Sequence, residues 1–429
     1  VAAVSFGRFS AKRLDVLTIT FHDRRKLMSM NVQPDLEFIK AMKAAGGDTL
    51  KQCYQCATCS VACPLSSDAK PFPRKEMILA QWGLKDKLIT DPNVYLCHQC
   101  GDCTELCPRG ARPGDVLGAI RAYAYRALGW PKGLADLCSS KDNLPVLIGI
   151  PAVFIFIMWL ISGGMHFPSG EQFAKVGYTH FFGHWDFRLL AKNVLFIDII
   201  MLISAGIALT SVYKGVSTLW QGMTASLGQN DVLYRPSAPQ FVKQFLWPAI
   251  IEILEHKRFR ECTVNADRVK GHRPLVFAFI GLFIVTCYSL FTQDVIGIWI
   301  PSMHGPISMW NPVKLLANVS AVAMIVGIGI LWVNRSNMQA AGKAANTFYD
   351  WFLIWIVMGV GVTGLGAEVL RLVGIVSLGY VMYYLHLISV AMLFLYMPYT
   401  KFAHLVYRTF AMAFERYRES SYIKNPLNG

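Results

Sequence analysis

Eight of the 11 cysteines lie between residues 53 and 107, in two runs of identical spacing. Cys53, Cys56, Cys59 and Cys63 precede Pro64, and Cys97, Cys100, Cys103 and Cys107 precede Pro108, so each run reads C-x2-C-x2-C-x3-C-P. Three thiolates spaced two residues apart let one tight loop offer sulfurs to three corners of a four-iron cubane. The fourth, carried onward before a proline, serves the other cluster. The expected ligand sets are Cys53, Cys56, Cys59 with Cys107, and Cys97, Cys100, Cys103 with Cys63, for two [4Fe-4S] clusters. Zinc is the competing reading, but it takes four ligands in separated pairs, which two triplets plus a prolyl cysteine fit poorly. A disulfide framework is excluded by the same spacing, which points to a reducing compartment. Cys138, Cys262 and Cys287 have no such pattern; Cys287 reads as a packing residue of a span and Cys262 has no assigned role.

A second set of candidates is histidine. His386 and His404 stand 18 residues apart in the last apolar stretch. Read as one helix of about 3.6 residues per turn, that spacing is five turns and aligns both rings on one face, roughly 27 Å apart. Two imidazoles so placed, one near each membrane surface, suit two b hemes; a lone intramembrane histidine more often serves as a hydrogen-bond partner between helices. Each heme needs a second ligand. His272 begins the third span at the depth of His404 and is the expected partner for an inner heme, an ordinary interfacial histidine being the alternative. For His386, at the outer side, His166, His180, His184 and His304 are available, and His184 in GHWDF is the preferred one. Asp198, in the second span, is costly in lipid unless paired or facing a cavity, which makes it a candidate proton-relay group.

These side chains require elements to hold them. The chain of 429 residues is 54% hydrophobic and 16% charged, which is not the balance of a soluble protein. Six apolar stretches approach the roughly 20 residues a transmembrane helix needs: 144–170, 193–213, 274–293, 315–334, 351–367 (short) and 372–400, the last long enough to include a turn at 374–379. Of the 41 Lys and Arg residues, all but Lys175, Arg188, Lys192, Lys314 and Arg371 fall in the two termini and the 214–273 and 335–347 connections. The positive-inside rule then places both termini and the cysteine runs in the cytoplasm, with the protein multi-pass in the cytoplasmic membrane. The formal charge of +14 is thereby explained as topology; without aromatic–basic interleaving, no nucleic-acid partner is expected.

The 33 residues between Cys63 and Cys97 are too many for a compact β-type ferredoxin. Helical character in 34–46, 74–88 and 114–128 predicts a helical ferredoxin instead. Residues 239–259 read as an amphipathic segment lying on the membrane surface, with Phe241, Phe245, Ile253 and Leu254 near one face. The first 50 residues lack the apolar core of a secretory signal. The expected organisation is all-α: 1–33 an unstructured lead, 34–135 a helical ferredoxin domain with two [4Fe-4S] clusters, 136–143 a linker, 144–410 a six-span transmembrane diheme cytochrome b bundle, and 411–429 a cytoplasmic tail.

The segments PDLEFIKAMKAAGGDTLKQCYQCATCSVACPLS and YLCHQCGDCTELCPRG resemble the C-type iron-sulfur subunit of heterodisulfide reductases. YLHLISVAMLFLYMPYTKFAHLVYR is similar to the final helix of the cytochrome b subunit of respiratory nitrate reductases, including its two heme histidines. A fusion of the two resembles the C-type membrane subunit of the quinone-interacting membrane-bound oxidoreductase complexes of sulfate reducers, over nearly everything after residue 30. The resemblance implies menaquinol (menaquinone) from the membrane quinone pool as substrate and cytoplasmic flavin and iron-sulfur subunits as partners. It further implies adenylylsulfate reductase as the electron acceptor in sulfate respiration. It also implies a quinol-contacting lysine at the start of the span after the histidine-bearing helix, the place of Lys314, where snorkelling to headgroups is the alternative. The chain departs from the nitrate reductase pattern ten residues past His272, where Leu282 replaces the expected histidine, so an outer heme would need another ligand. The competing functional class is a membrane anchor or transporter with a docking ferredoxin module; a heterodisulfide reductase-like or reverse-direction quinone reductase subunit is a third reading. Direction of electron flow is not readable from these residues.

Overall fold

The structure, a computed structural model, describes residues 33–68, 70–163, 167–179, 181–182, 194–261, 263–300, 303 and 306–424. Helices dominate, and the only β pairings among the described residues are the isolated bridges Ser67–Lys70 and Val232–Ile423.

The N-terminal domain opens with α1 (Leu36–Met42), capped by the Asp35 carboxylate, which accepts from the Phe38 N–H at 2.9 Å. One turn, α2 (Thr58–Val61), follows the first cysteine loop. The 74–88 segment divides into α3 (Arg74–Gln81) and α4 (Lys85–Ile89), because Gly83, at φ +67°, turns the chain against the Asp35 backbone where a Cβ would not fit. Then come α5 (Pro92–Leu96), the single turn α6 (Asp102–Glu105) and α7 (Pro113–Leu128). Val116, Leu117, Ile120, Ala124 and Leu128 recur at helical spacing along α7, which is the spine against which Phe38, Met42, Leu50, Met77 and Leu88 pack.

After α8 (Lys132–Leu137), six helices among the described residues are long and apolar enough to cross a membrane: Lys141–Ile161, Phe196–Ala225, Ala266–Gln293, Pro312–Ala340, Phe348–Val373 and Val376–Tyr399. Their α-helical parts are α9 (Leu144–Ile161), α11 (Ile199–Ala225), α14 (Val269–Ser289), α15 (Pro312–Ala340), α16 (Phe348–Val373) and α17 (Val376–Tyr396). Between them lie the short helices α10 (Gly170–Val176), α12 (Ala238–Phe241) and α13 (Trp247–Leu254). The fifth span is not short: Asp350, Glu368 and Arg371 lie within its 26 residues, each ion-paired inside the bundle. Gly374, in the left-handed region at φ +78°, ends the fifth span before the sixth begins. α14 runs along α15 and α16 along α17. Gly271 and Gly327 let the first pair approach closely, a Cβ on either falling within 2.8 Å of the other's carbonyl oxygen.

Four expectations on chain organisation are corrected. Helix α17 does not continue to His404: Pro398 lies in a 3-10 turn (Met397–Tyr399), Thr400 is extended, and a second 3-10 turn (Lys401–Ala403) leads into a separate helix, α18 (His404–Arg418). The five-turn alignment of His386 with His404 therefore does not hold, since the count crosses a break made by a residue without an N–H. Residues 411–424 are not a separate tail, because Ala411, Phe414, Tyr417, Tyr422 and Ile423 are buried in the core of the N-terminal domain together with Leu219 and Met223 of α11. The 239–259 segment docks partly on protein: Phe245 meets Tyr417 at 5.6 Å and Phe241 meets Trp220 at 5.0 Å, while Val242 and Trp247 face outward. The supposed linker 136–143 contains the end of α8 and a 3-10 turn (Lys141–Asn143).

Candidate functional site

The two cysteine runs fold into matching loops. In the first, Gln55 and Ala57 adopt φ +61° and +68°; in the second, Gln99 and Gly101, at the same positions, adopt +52° and +95°. Each loop ends in one helical turn, α2 or α6, carrying the third cysteine. Non-glycine residues held in the left-handed region cost about 1–3 kcal/mol each. Repeating that cost at both loops indicates a purpose, which is to turn backbone N–H groups toward sulfur: Gln99 N–H donates to Cys97 Sγ at 3.3 Å and Ala111 N–H to Cys107 Sγ at 3.4 Å. Gln55 Nε2 also approaches Cys53 Sγ, at 3.4 Å.

The fold sorts the eight cysteines into two clefts. Cys53, Cys56, Cys59 and Cys107 line one, and Cys97, Cys100, Cys103 and Cys63 line the other. Each triplet thus meets the prolyl cysteine of the opposite run. Among the described residues no group of three His, Cys, Asp or Glu side chains is placed to hold a single metal ion. Burial, then the neighbouring thiols, raise Cys59 to about 11; burial above all raises Cys63 to about 12, and Cys103 also rises. Exposed Cys56 moves the other way, its sulfur hydrogen-bonded by Thr58. Four thiolates cannot crowd together without cationic iron to offset them, and the donor set suits such a cluster.

The two loops differ in surroundings. The first is outward, with Tyr54 and Val61 exposed and Arg109 stacked 4.2 Å over the Tyr54 ring. The second faces the membrane helices: the Asp102 carboxylate accepts from the Thr263 and Val264 N–H groups at 3.1 and 2.8 Å, and Arg268 donates to the Gln99 carbonyl at 3.2 Å. His98, buried between Cys97 and Gln99, receives Arg408 of α18 at 2.9 Å. Burial and then the Arg408 charge depress the His98 imidazole to about 2, so it is neutral.

His272 and His404 come together where α14 and α18 begin, their ring centroids 6.2 Å apart. With metal–imidazole bonds of about 2.0–2.1 Å and roughly 1.1 Å from nitrogen to ring centre, one iron between two imidazoles separates their centroids by about 6.3 Å. Both rings have Nδ1 occupied. His404 Nδ1 is 2.5 Å from the Lys401 carbonyl, and His272 Nδ1 is 3.0 Å from Nε2 of His256, whose own Nδ1 is 2.9 Å from the Leu254 carbonyl. One proton order satisfies all three contacts: His256 donates to Leu254, His272 donates to His256, and His404 donates to Lys401. Nε2 of His272 and of His404 is then the basic nitrogen, the arrangement of a metal-ligating imidazole with its outer partner in place. The pair fits one heme iron. Lys401 is itself fixed by Asp350 at 2.5 Å, and Asp350 also binds Arg335 at 2.5 Å.

His386 lies on α17 with Nδ1 3.2 Å from the Thr363 hydroxyl, and it packs where Gly364 leaves room, a Cβ there falling 2.8 Å from the ring. His166, His180, His184 and His304 lie outside the described residues, as does Cys262. Lys314 does not reach for headgroups: it pairs with Glu368, which also meets Arg371 at 3.5 Å, and Arg371 donates to the Ala174 carbonyl at 3.2 Å. Asp198, half-buried at the start of the second span, has no ion-pair partner among the described residues. Leu282 packs in the membrane core. Cys287 is exposed on α14, which corrects its reading as a packing residue, and Cys138 is buried. Sequence reasoning misses His98 and His256: each is single, without ligand spacing. The adjacency of His98 to Cys97 is the signal that could have found it.

Residues 49–111 match the family model of a 4Fe-4S dicluster domain. The chain is similar to the C-type subunit of the H(2):CoB-CoM heterodisulfide,ferredoxin reductase of Methanothermobacter marburgensis, 43% identical over 94 residues, which cover 22% of this chain and 50% of that one. It is 32% identical over 108 residues to a protein of Archaeoglobus profundus described as like the C-type subunit of heterodisulfide reductase (25% and 55% covered). To the C-type subunit of the ferredoxin:CoB-CoM heterodisulfide reductase of Methanosarcina mazei it is 34% identical over 90 residues (21% and 55%). The chain spans about half the length of these curated relatives. No solved structure matches it. The N-terminal domain is thus an iron-sulfur domain like that of the heterodisulfide reductase C-type subunits, joined here to six apolar helices of membrane-spanning length.

Proposed function

We propose that this chain is the membrane subunit of a respiratory oxidoreductase that oxidises menaquinol and delivers electrons to cytoplasmic flavin and iron-sulfur partners, ultimately adenylylsulfate reductase. Two b hemes and two [4Fe-4S] clusters, when bound, supply its one-electron carriers. The observation that carries the reading is the 6.2 Å pairing of His272 with His404, each Nδ1 held by an outer partner, directly beneath the second cysteine loop. His272 and His404 would hold the inner heme and His386, with His184 as preferred partner, the outer one. Cys53, Cys56, Cys59 and Cys107 would hold one cluster and Cys97, Cys100, Cys103 and Cys63 the other. Asp102 and Arg268 dock the second loop on the membrane helices, so the Cys97 side is the nearer to the inner heme and the exposed Cys56 side is the nearer to soluble partners. Lysine and arginine placement supports a cytoplasmic iron-sulfur domain. Lys314, with Glu368 and Arg371, offers groups able to bind and exchange protons with quinol at the far side of the bundle, and Asp198 is a weaker candidate for the same relay.

Reduced-minus-oxidised spectra of the detergent-purified protein test the proposal. A b-type band in the wild type is expected, with His404→Ala losing one heme and leaving the other reducible by quinol. Full retention of both hemes in that variant would refute the assignment.

A further inference from the structure

Because Pro398 breaks the path from α17 to α18, no continuous helix aims the His404 ring. The ring torsion of a histidine is broad and roughly two-fold, so a plane that stays put needs something to hold it. Two contacts tie down the turn that precedes His404. The Tyr399 hydroxyl donates to the Trp130 carbonyl at 2.6 Å, and Lys401 Nζ donates to the Asp350 carboxylate at 2.5 Å. The Lys401 carbonyl in turn accepts the His404 backbone N–H and, at 2.5 Å, the Nδ1–H of the ring. Anchoring Lys401 therefore sets the plane of the imidazole.

The anchor itself is rigid. Asp350 is buried, and its carboxylate accepts from three groups: Lys401, Arg335 of α15 at 2.5 Å and the Thr347 hydroxyl at 2.7 Å. Thr347 also caps α16, its oxygen accepting from the Asp350 N–H at 3.3 Å. Arg335 donates further to the Ala345 carbonyl, and the Ala345 N–H donates to Asp115 of α7 at 3.1 Å. One carboxylate thus joins the start of α16, the last turns of α15 and the turn before α18, one hydrogen bond from the iron-sulfur domain. A buried ion pair is weak ground for stability, so what it positions is the more informative property. The opposite ring is held without a charge, His272 Nδ1 by His256 at 3.0 Å, and the two rings stand at 67° to each other.

Resting on the heme reading above, we propose that Asp350 is a positioning residue for the heme held by His272 and His404: through Lys401 it fixes the plane of the His404 imidazole, and with it the 67° between the two ligand planes. Outer partners of a ligating histidine set its orientation in this way, and Asp350 acts one residue further out.

The test uses full-length protein in detergent, with Asp350→Asn, Lys401→Met, the double variant and Asp350→Glu. Heme bands are titrated for potential, and the oxidised inner heme is read by EPR, whose g values depend on the angle between the ligand planes. The two single variants change charge in opposite senses. Asp350→Asn removes a negative charge and should shift the inner heme about tenfold toward the reduced form, which for one electron is about 59 mV. Lys401→Met removes a positive charge and should shift it toward the oxidised form. The double variant restores the net charge and should titrate near the wild type; leaving no half of the pair behind, it carries the test where a single variant does not fold. All three should share a displaced inner-heme EPR signal, because each frees the Lys401 turn, while Asp350→Glu, which keeps the anchor, should lie nearer the wild type. An unchanged inner-heme signal in the double variant would overturn the proposal. Loss of the inner heme from the double variant alone, with both cluster signals intact, would support it; the same loss from Asp350→Glu as well would mark a merely structural role and overturn it. A wild type with no b-type band, or one whose bands ignore His404→Ala, would instead be a failure of the underlying heme reading.

Discussion

Replacing Asp102 by alanine should release the second cysteine loop from the membrane helices without disturbing the fold on either side. Asp102 is buried, and its two carboxylate oxygens accept from consecutive backbone N–H groups, Thr263 at 3.1 Å and Val264 at 2.8 Å. A hydrogen bond to a charged group contributes about 1.5–3 kcal/mol, so the two together amount to about 3–6 kcal/mol. The lower figure applies, since Arg268 still donates to Gln99 and Val264 still packs on Gly101. At about 1.4 kcal/mol per factor of ten, 3 kcal/mol corresponds to roughly 100-fold faster amide exchange at Thr263 and Val264. Hydrogen exchange read by mass spectrometry on a peptide across 260–268 measures this, with α7 as the internal control. Asp102→Asn keeps one acceptor oxygen and should give about a tenfold change. Equal exchange of these two amides in wild type and Asp102→Ala would refute the claim that this carboxylate docks the loop.

Four further outcomes are expected. Cys107→Ser should damage the cluster of Cys53, Cys56 and Cys59 more than that of its own run, with Cys63→Ser doing the converse; EPR spectra that lose the same-run cluster instead would rule out the crossed arrangement. In the iron-free protein the raised thiols, Cys59 at about 11 and Cys63 at about 12, favour the folded domain while they stay protonated. That contribution is complete below the unfolded thiol range near 8.5 and is lost as pH climbs through the folded values, so iron-free unfolding midpoints should fall above about pH 9. Because clusters need thiolates, reconstitution should release protons and improve with rising pH, as a proton-release titration would show. Lys314→Ala should slow quinol-dependent heme reduction while dithionite reduction and heme content hold; unchanged kinetics would leave the Lys314–Glu368–Arg371 group as packing of the fourth and fifth spans.

Local chemistry is legible in the sequence and long-range geometry is not. The cysteine spacing announces two cluster loops because three ligands lie within seven residues, and the six spans declare themselves through apolar length. α7 is visible because its apolar residues recur with helical period. The break between His386 and His404 escapes notice because hydropathy continues through Met397–Ala403 while the backbone does not; Pro398 and Thr400 decide the matter, and periodicity cannot see them. The sequence-legible pairing of His272 with His404 rests on membrane depth, whereas what orders their protons is His256 and the Lys401 carbonyl, 16 and three residues away. A lone histidine and a backbone oxygen carry no pattern. The aromatic packing of α18 on the iron-sulfur domain is equally silent, since residues 411–423 look like any short amphipathic end.

That packing has a consequence for biogenesis. Tyr407 stacks on Tyr125 at 5.1 Å and meets Tyr95 at 5.8 Å, so the interior of the iron-sulfur domain is completed by a helix made only after all six spans. Roughly 280 residues separate Tyr125 from Tyr407, about 15–60 s of synthesis at 5–20 residues per second. During that interval all six spans must enter the bilayer while the cysteine loops wait with an open wall. A cell that loaded iron and sulfide on the nascent domain would be filling it before its closing helix existed. The order the fold favours is insertion first, closure of the domain by α18 second, and metal loading in company with that closure.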